Sequence, residues 1–171
     1  MSAPDLKAIF RAGFVRRWHT NPDLAHTVDR IDGHSARVAR IIMALHPSPP
    51  LELIRAALIH DDGESVIGDI PGPAKERMTD SGWSLAPIEG AALHEVWGAF
   101  EKPRQDERIW LWFADRLDAY MWAAHHAPHV LNGDGWPEAR RELMEAVSRL
   151  DPVGLMRRKL DLMLCEMEVA L

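Results

Sequence analysis

Cysteine is almost missing from this chain. Cys165 stands alone, so no internal disulfide can form, and neither a thiolate zinc cage nor a Cys-x-x-Cys redox pair is available. A reducing cytoplasm fits that usage, the host's cytoplasm if the gene is viral. Long apolar runs are absent too. The stretch from Met1 to Phe14 is broken by Asp5, Lys7 and Arg11, and nothing elsewhere approaches membrane-spanning length. A soluble, unexported protein with no membrane contact is expected. Basic charge is also in deficit: 20 Lys and Arg stand against 26 Asp and Glu, for a formal charge of -6. Stable nucleic-acid binding, which relies on clustered cations releasing counterions, is not expected, whereas a small charged ligand is compatible. No GxxxxGK[ST] loop occurs, which argues against a P-loop kinase or an ATP-driven motor. Repeats and low-complexity tracts are lacking.

What is present is 171 residues, 47% hydrophobic and 27% charged, a balance that suits a single domain over residues 1–171 with one core. The apolar pattern is helical throughout, and an all-α, compact helical bundle is the expected fold. Asp5 to Phe14 reads as a first helix, followed by a polar connection from Thr20 to Asp32 in which Asn21-Pro22 and Asp32-Gly33 mark turns. From His34 to Leu45 the residues Val38, Ile41, Ile42 and Leu45 recur at helical spacing, and His34 begins the same inward stripe. After the Pro47-Ser48-Pro49-Pro50 break, a third helix runs through Leu53, Ile54, Ala57, Leu58 and His60 toward Glu64. The segment Gly68-Asp69-Ile70-Pro71-Gly72-Pro73 reads as a rigid loop. Helices are then expected from Ile88 to Phe100 and from Asp106 to His126. Two more open near Pro137 and near Pro152, the latter with Asp151 as N-cap.

Chemistry concentrates where ionisable residues interrupt apolar helical faces, because burying them is costly unless they pair or hold a metal. His60-Asp61 is the clearest case: an imidazole and a carboxylate at adjacent positions can converge on one cation. A second imidazole from the preceding helix, His34, and a carboxylate from a later one, Asp115, complete a ligand set. Read singly, His34 is a helix-start histidine and His60 a satisfied core histidine. Asp118, one turn from Asp115, competes for the last position; Asp115 is preferred. Two nitrogens with two oxygens suit Mn, Co, Zn or Fe(II) better than calcium, with Mg kept among the candidate ions. Asp69 either caps a turn or presents a carboxylate from a rigid loop beside the metal. Arg17 can hold phosphate oxygens with its planar fork, and Trp18 can stack on a base or pack on a sugar. Lys75 reads equally well as a phosphate contact and as a solvated lysine. The remaining tryptophans are assigned to packing, and His125-His126 and His129 to a polar helix end.

In the order His34, His60-Asp61, Asp115, these residues form the H…HD…D signature, and the chain resembles the HD-domain phosphohydrolases. Arg17-Trp18 before His34, Glu64 after His60-Asp61, and Gly68-Asp69-Ile70-Pro71 make it similar to the bacterial 5′-deoxynucleotidases and the compact phage dATP triphosphohydrolases. The likeness extends from Arg17 to about Tyr120, where Ala114-Asp115-Arg116-Leu117-Asp118-Ala119-Tyr120 looks like the family's last metal-ligand helix. The short segment between the HD pair and Asp115 resembles the phage enzymes more closely.

This resemblance implies an HD-domain bundle and a metal-dependent phosphoric ester or anhydride hydrolase acting on 2′-deoxynucleotides. Glu64 is implied in proton chemistry, and Arg17 and Trp18 in substrate binding. The expectation leans to a dNTP triphosphohydrolase that releases deoxynucleoside and triphosphate. The alternatives are a 5′-deoxynucleotidase releasing phosphate from dNMPs, a cyclic or dinucleotide phosphodiesterase, and a non-enzymatic binding module with a structural metal. A homodimer or larger homo-oligomer is also expected.

Overall fold

The computed structural model describes residues 3–133, 135–151 and 155–169. Among them are eight α-helices: α1 (Leu6–Ala12), α2 (Ile31–Leu45), α3 (Leu51–Ile59), α4 (Gly72–Asp80), α5 (Ala86–Trp97), α6 (Arg108–His126), α7 (Trp136–Leu150) and α8 (Leu155–Val169). The expected all-α fold is what forms. The described residues contain no strand, only one antiparallel bridge between Arg16 and Arg30 that pins the two ends of the connection joining α1 to α2.

The long helix α6 is the axis of the molecule because two of its faces are apolar. Phe113, Leu117 and Tyr120 pack into a cluster with Leu24, with Leu143 and Val147 of α7, and with Leu160 and Leu164 of α8. Trp110 and Ala114 pack into a second cluster with Val38 and Ile42 of α2 and Leu53 and Ala57 of α3. Burying a side chain such as Leu117 or Ile42 is worth about 1.5–3 kcal/mol each, so these two seams bind α2, α3, α7 and α8 to one central helix. A smaller layer of α1 and α5 packs against the turn that follows α3.

Local chemistry sets the helix ends. Asp5 caps α1, its Oδ1 accepting the N–H of Lys7 at 2.9 Å and of Ala8 at 3.1 Å. Helix α2 begins at Ile31 rather than His34, so Asp32-Gly33 lies in a first helical turn and not in a loop. Asp32 is favoured there by the helix dipole, and Ile31 extends the buried stripe by one residue of the same face. Helix α3 stops at Ile59 instead of running on toward Glu64. Asp61 takes φ -99° and ψ 0°, and Asp62–Ser65 form a 3₁₀ turn. The expected rigid loop is shorter than its prolines imply. Gly72-Pro73 opens α4, since proline at the start of a helix loses no hydrogen bond. The helices expected from Ile88 and from Asp106 begin instead at Ala86 and Arg108. Pro152 lies outside the described residues, but Asp151 does serve the last helix: its carboxylate accepts the N–H groups of Met156 and Arg157.

Gly63, in the turn after Asp61, is where the peripheral layer touches the site. A methyl group there would lie 2.2 Å from the carbonyl oxygen of Glu89 on α5, and backbone cannot yield as a side-chain tip can. Gly63→Ala is expected to destabilise the fold by about 1–3 kcal/mol, read as a lower midpoint in denaturant unfolding; an unchanged midpoint would mean that α5 is free to move away.

Candidate metal centre

His34 leaves the first half of α2 and is fully buried. Its Nδ1 lies 2.7 Å from Asp118 Oδ2, and because a carboxylate only accepts, Nδ1 carries the proton. Its Nε2 is 3.0 Å from Asp115 Oδ1 and 3.4 Å from Asp61 Oδ2. His60, at the end of α3, has its Nδ1 2.9 Å from the carbonyl of Ala57, which again only accepts. Its Nε2 faces Asp61 Oδ2 at 3.4 Å and Asp115 Oδ1 at 3.9 Å. Neither Nε2 has a hydrogen-bond partner of acceptable geometry although both are buried. When neutral, each ring therefore aims a lone pair at carboxylate oxygens. Such an arrangement calls for a cation at its centre, either a proton or a metal ion.

The donor atoms of His34, His60 and Asp61 lie within 4.8 Å of one another, close enough to hold a metal ion. Asp115 approaches the same point from α6 and keeps 40% of its side chain exposed, so the open side of the cluster is on its flank. Without a metal, charge is balanced by protons. Burial works against a charged His34, yet Asp115, Asp118 and Asp61 together push its pKa up to about 10. Burial also opposes ionisation of Asp115, and the two imidazoles outweigh it and hold this carboxyl well below the usual carboxylate range. Asp61 is lowered and His60 raised by the same mutual attraction against the same burial penalty.

The five remaining candidate residues lie around this cluster in two groups. Arg17 and Trp18 form the first with the loop residue Asp69. Arg17 is only 8% exposed; one of its nitrogens sits 3.0 Å from Asp29 and 3.7 Å from Asp118, and its buried Nε has no partner. Its fork is thus partly committed to carboxylates. The Trp18 indole donates to Asp29 at 3.2 Å, and its ring packs on Trp136 with centroids 6.1 Å apart. The backbone of Trp18 is left-handed, with φ 64°, and its N–H donates to Asp69 Oδ2 at 3.2 Å.

Glu64 and Lys75 form the second group. The Lys75 ammonium bridges Glu64 at 2.6 Å and Glu89 at 2.9 Å, an arrangement that is neither of the two sequence readings of Lys75. Burial and the nearby charge of Asp61 raise Glu64 to about 8, with Lys75 pulling the other way, and the second oxygen of Glu64 is buried without a partner.

Four participants hold roles that the sequence reading did not assign. Asp118, considered there as a rival ligand, instead orients His34; its signal was a carboxylate on the apolar face of α6, one turn from Asp115. Arg37 had a signal in its position one turn beyond His34 on α2. Asp29 and Glu89 had none, since an acid in a loop and an acid on a helix surface are ordinary. The histidines at 125, 126 and 129 lie apart from the metal-capable group. No protein-family model matches this chain, and no curated protein is similar to it at a significant level.

The metal-stripped protein is expected to bind one Zn²⁺ or Mn²⁺ per chain in chelator competition, more tightly as pH rises because protons compete for the imidazoles. His60→Ala should weaken that binding by more than the roughly 10–100-fold lost with a residue that merely orients a ligand. Affinity that is independent of pH and of His60 would place the ion elsewhere.

Proposed function

We propose that this chain is a metal-dependent phosphohydrolase acting on 2′-deoxynucleotides, with His34, His60, Asp61 and Asp115 as metal ligands. The observation that carries the proposal is the pair of buried Nε2 atoms without partners, each fixed by a committed Nδ1 and each turned toward Asp61 and Asp115. With no family or curated match, the resemblance to HD-domain phosphohydrolases rests on the motif residues themselves. Their geometry supports it: the ordered His, His-Asp and Asp positions come from three different helical segments and meet at one point.

A divalent metal held by His34, His60, Asp61 and Asp115 would supply Lewis acidity toward a phosphoryl oxygen and would lower the pKa of the attacking water. The chain's own residues do the rest. Asp115, the most exposed of the four, borders the side from which a phosphate approaches. Arg17 meets the phosphate charge through the part of its fork that Asp29 does not occupy, and it lies in the field of Asp61, Asp115 and Asp69. Lys75, already held between two carboxylates, leaves that task to Arg17. Glu64, kept protonated to higher pH by burial, holds a proton for the leaving oxygen. Trp18 offers an apolar surface for the deoxyribose or base, and Asp69 holds its backbone in place. The reaction is an in-line hydrolysis, with no covalent enzyme intermediate.

The test is chromatography of the products released from dNTPs, dNMPs and matching ribonucleotides with Mn²⁺, Co²⁺, Zn²⁺ or Mg²⁺, with Asp61→Ala as control. Deoxynucleoside and triphosphate from a dNTP, abolished in the variant, is the expected result. Phosphate from dNMPs alone would make the chain a 5′-deoxynucleotidase, and turnover only of cyclic or dinucleotide phosphodiesters would replace the substrate class. No turnover of any phosphoester, together with metal-dependent folding, would reduce the metal to a structural role. Glu64→Gln is expected to lower kcat by about 10²–10⁴-fold while metal affinity is retained; full activity in this variant would take proton transfer away from Glu64.

A further inference from the structure

Beside the metal-capable cluster runs a chain of charged hydrogen bonds that no step above requires. Asp118 takes the Nδ1 proton of His34 at 2.7 Å. Arg37 grips both oxygens of that carboxylate, Nε to Oδ1 at 2.6 Å and one terminal nitrogen to Oδ2 at 3.0 Å. The same nitrogen donates to Asp29 Oδ1 at 2.9 Å. The other oxygen of Asp29 accepts from Arg17 at 3.0 Å and from the Trp18 indole at 3.2 Å. Asp29 and Asp118 are both buried, so neither carboxylate can exchange these partners for water at low cost.

The guanidinium of Arg37 is held in position from a second direction. It lies over the ring of Trp122, 4.4 Å from the centroid, and the Trp122 indole donates to Thr27 at 3.2 Å. Arg37 thereby joins α2, α6 and the connection before α2. That connection needs holding. Trp18 sits at φ 64°, a conformation that is unfavourable for a bulky residue and persists only where the surroundings enforce it. The tethers that oppose relaxation are Asp29, on the indole nitrogen, and Asp69, on the backbone N–H.

We infer that Asp118, Arg37 and Asp29 are positioning residues that couple occupancy of the metal site to the placement of the Arg17–Trp18 segment. The inference rests on the metal reading above and deepens it. A cation on His34 Nε2 makes Nδ1–H a stronger donor to Asp118, which fixes that carboxylate and with it the plane of Arg37. A fixed Arg37 holds Asp29, and Asp29 holds Arg17 and the strained Trp18. By linkage, an anion bound at Arg17 tightens the metal by the same factor that the metal tightens the anion. The direct approach of Arg17 to Asp118, at 3.7 Å, is too long to replace the route through Arg37.

The test uses the full chain and Zn²⁺ alone as probe, so it needs no turnover. Two quantities are read: the Zn²⁺ Kd by chelator competition, and amide hydrogen exchange across residues 17–30 with and without Zn²⁺. In the wild type, Zn²⁺ is expected to slow exchange in 17–30. Arg37→Gln is expected to weaken Zn²⁺ binding by about 10-fold or more and to abolish the slowing in 17–30, while protection around His34 in α2 persists. Arg37→Lys, which keeps the charge but loses the fork, is expected to restore only part of both effects. Should Arg37→Gln lose its helical circular dichroism, Asp29→Asn, which touches no metal ligand, answers the same two questions. Zinc-dependent slowing that survives in a folded variant, or an unchanged Kd, would overturn the coupling and leave the metal reading standing. Absence of Zn²⁺ binding in the wild type would remove both.

Discussion

Two imidazoles held in the interior with their Nε2 lone pairs turned toward carboxylates are the constraint on which the rest of the structure depends. The arrangement is unfavourable without a cation, since it brings the charges of Asp61 and Asp115 together where water is scarce. It persists because each ring is anchored through its other nitrogen, His34 by Asp118 and His60 by the carbonyl of Ala57. Those anchors select the ring face and the tautomer together, so each ring in its neutral form offers a lone pair at Nε2 and not an N–H group.

The scaffold exists to bring three helical segments to that point. Helix α6 does this most economically. Phe113 and Leu117 bind it to the core, while Asp115 and Asp118, on the same helix, address opposite nitrogens of His34. Helix α2 supplies His34 within a stripe of buried aliphatic residues, so rotating the ring out would tear Val38 and Ile42 from their packing. The halt of α3 at Ile59 matters equally. Continued as an α-helix, the chain would carry Asp61 round by a further 100° or so per residue, and its turn into a 3₁₀ segment instead leaves Asp61 beside His60. Gly63 makes that turn possible by letting α5 approach with no side chain between.

Around the cluster, opposite charges are arranged as two closed groups. The Lys75 ammonium lies between Glu64 and Glu89 on one side, and Arg17 and Arg37 neutralise Asp29 and Asp118 on the other. Each group contains a buried atom with unused hydrogen-bonding capacity, Glu64 Oε2 in one and Arg17 Nε in the other. Buried polar atoms are normally satisfied, so each of these two retains capacity for a further polar partner.

Much of this was legible in the residues alone. The helical period of the apolar positions fixes an all-α chain, and it places His34 inward because the histidine falls on the same stripe as Val38 and Ile42. A His-Asp pair on an apolar face, read together with His34, pointed to three residues that the structure brings close enough to hold a metal ion. What the residues did not disclose was which partner each charge would choose. Asp115 and Asp118 are one turn apart and alike in sequence, and only the packing angle of α6 against α2 turns one toward Nε2 and the other toward Nδ1. Arg17 and Lys75 read as free cations, yet each meets acids, Asp29 in one case and Glu64 and Glu89 in the other, that neither spacing nor composition connects to it. Local periodicity acts through neighbours a few residues apart and is therefore written along the chain. The pairing of charges distant in sequence is decided by how the helices dock, and that depends on the tertiary structure as a whole.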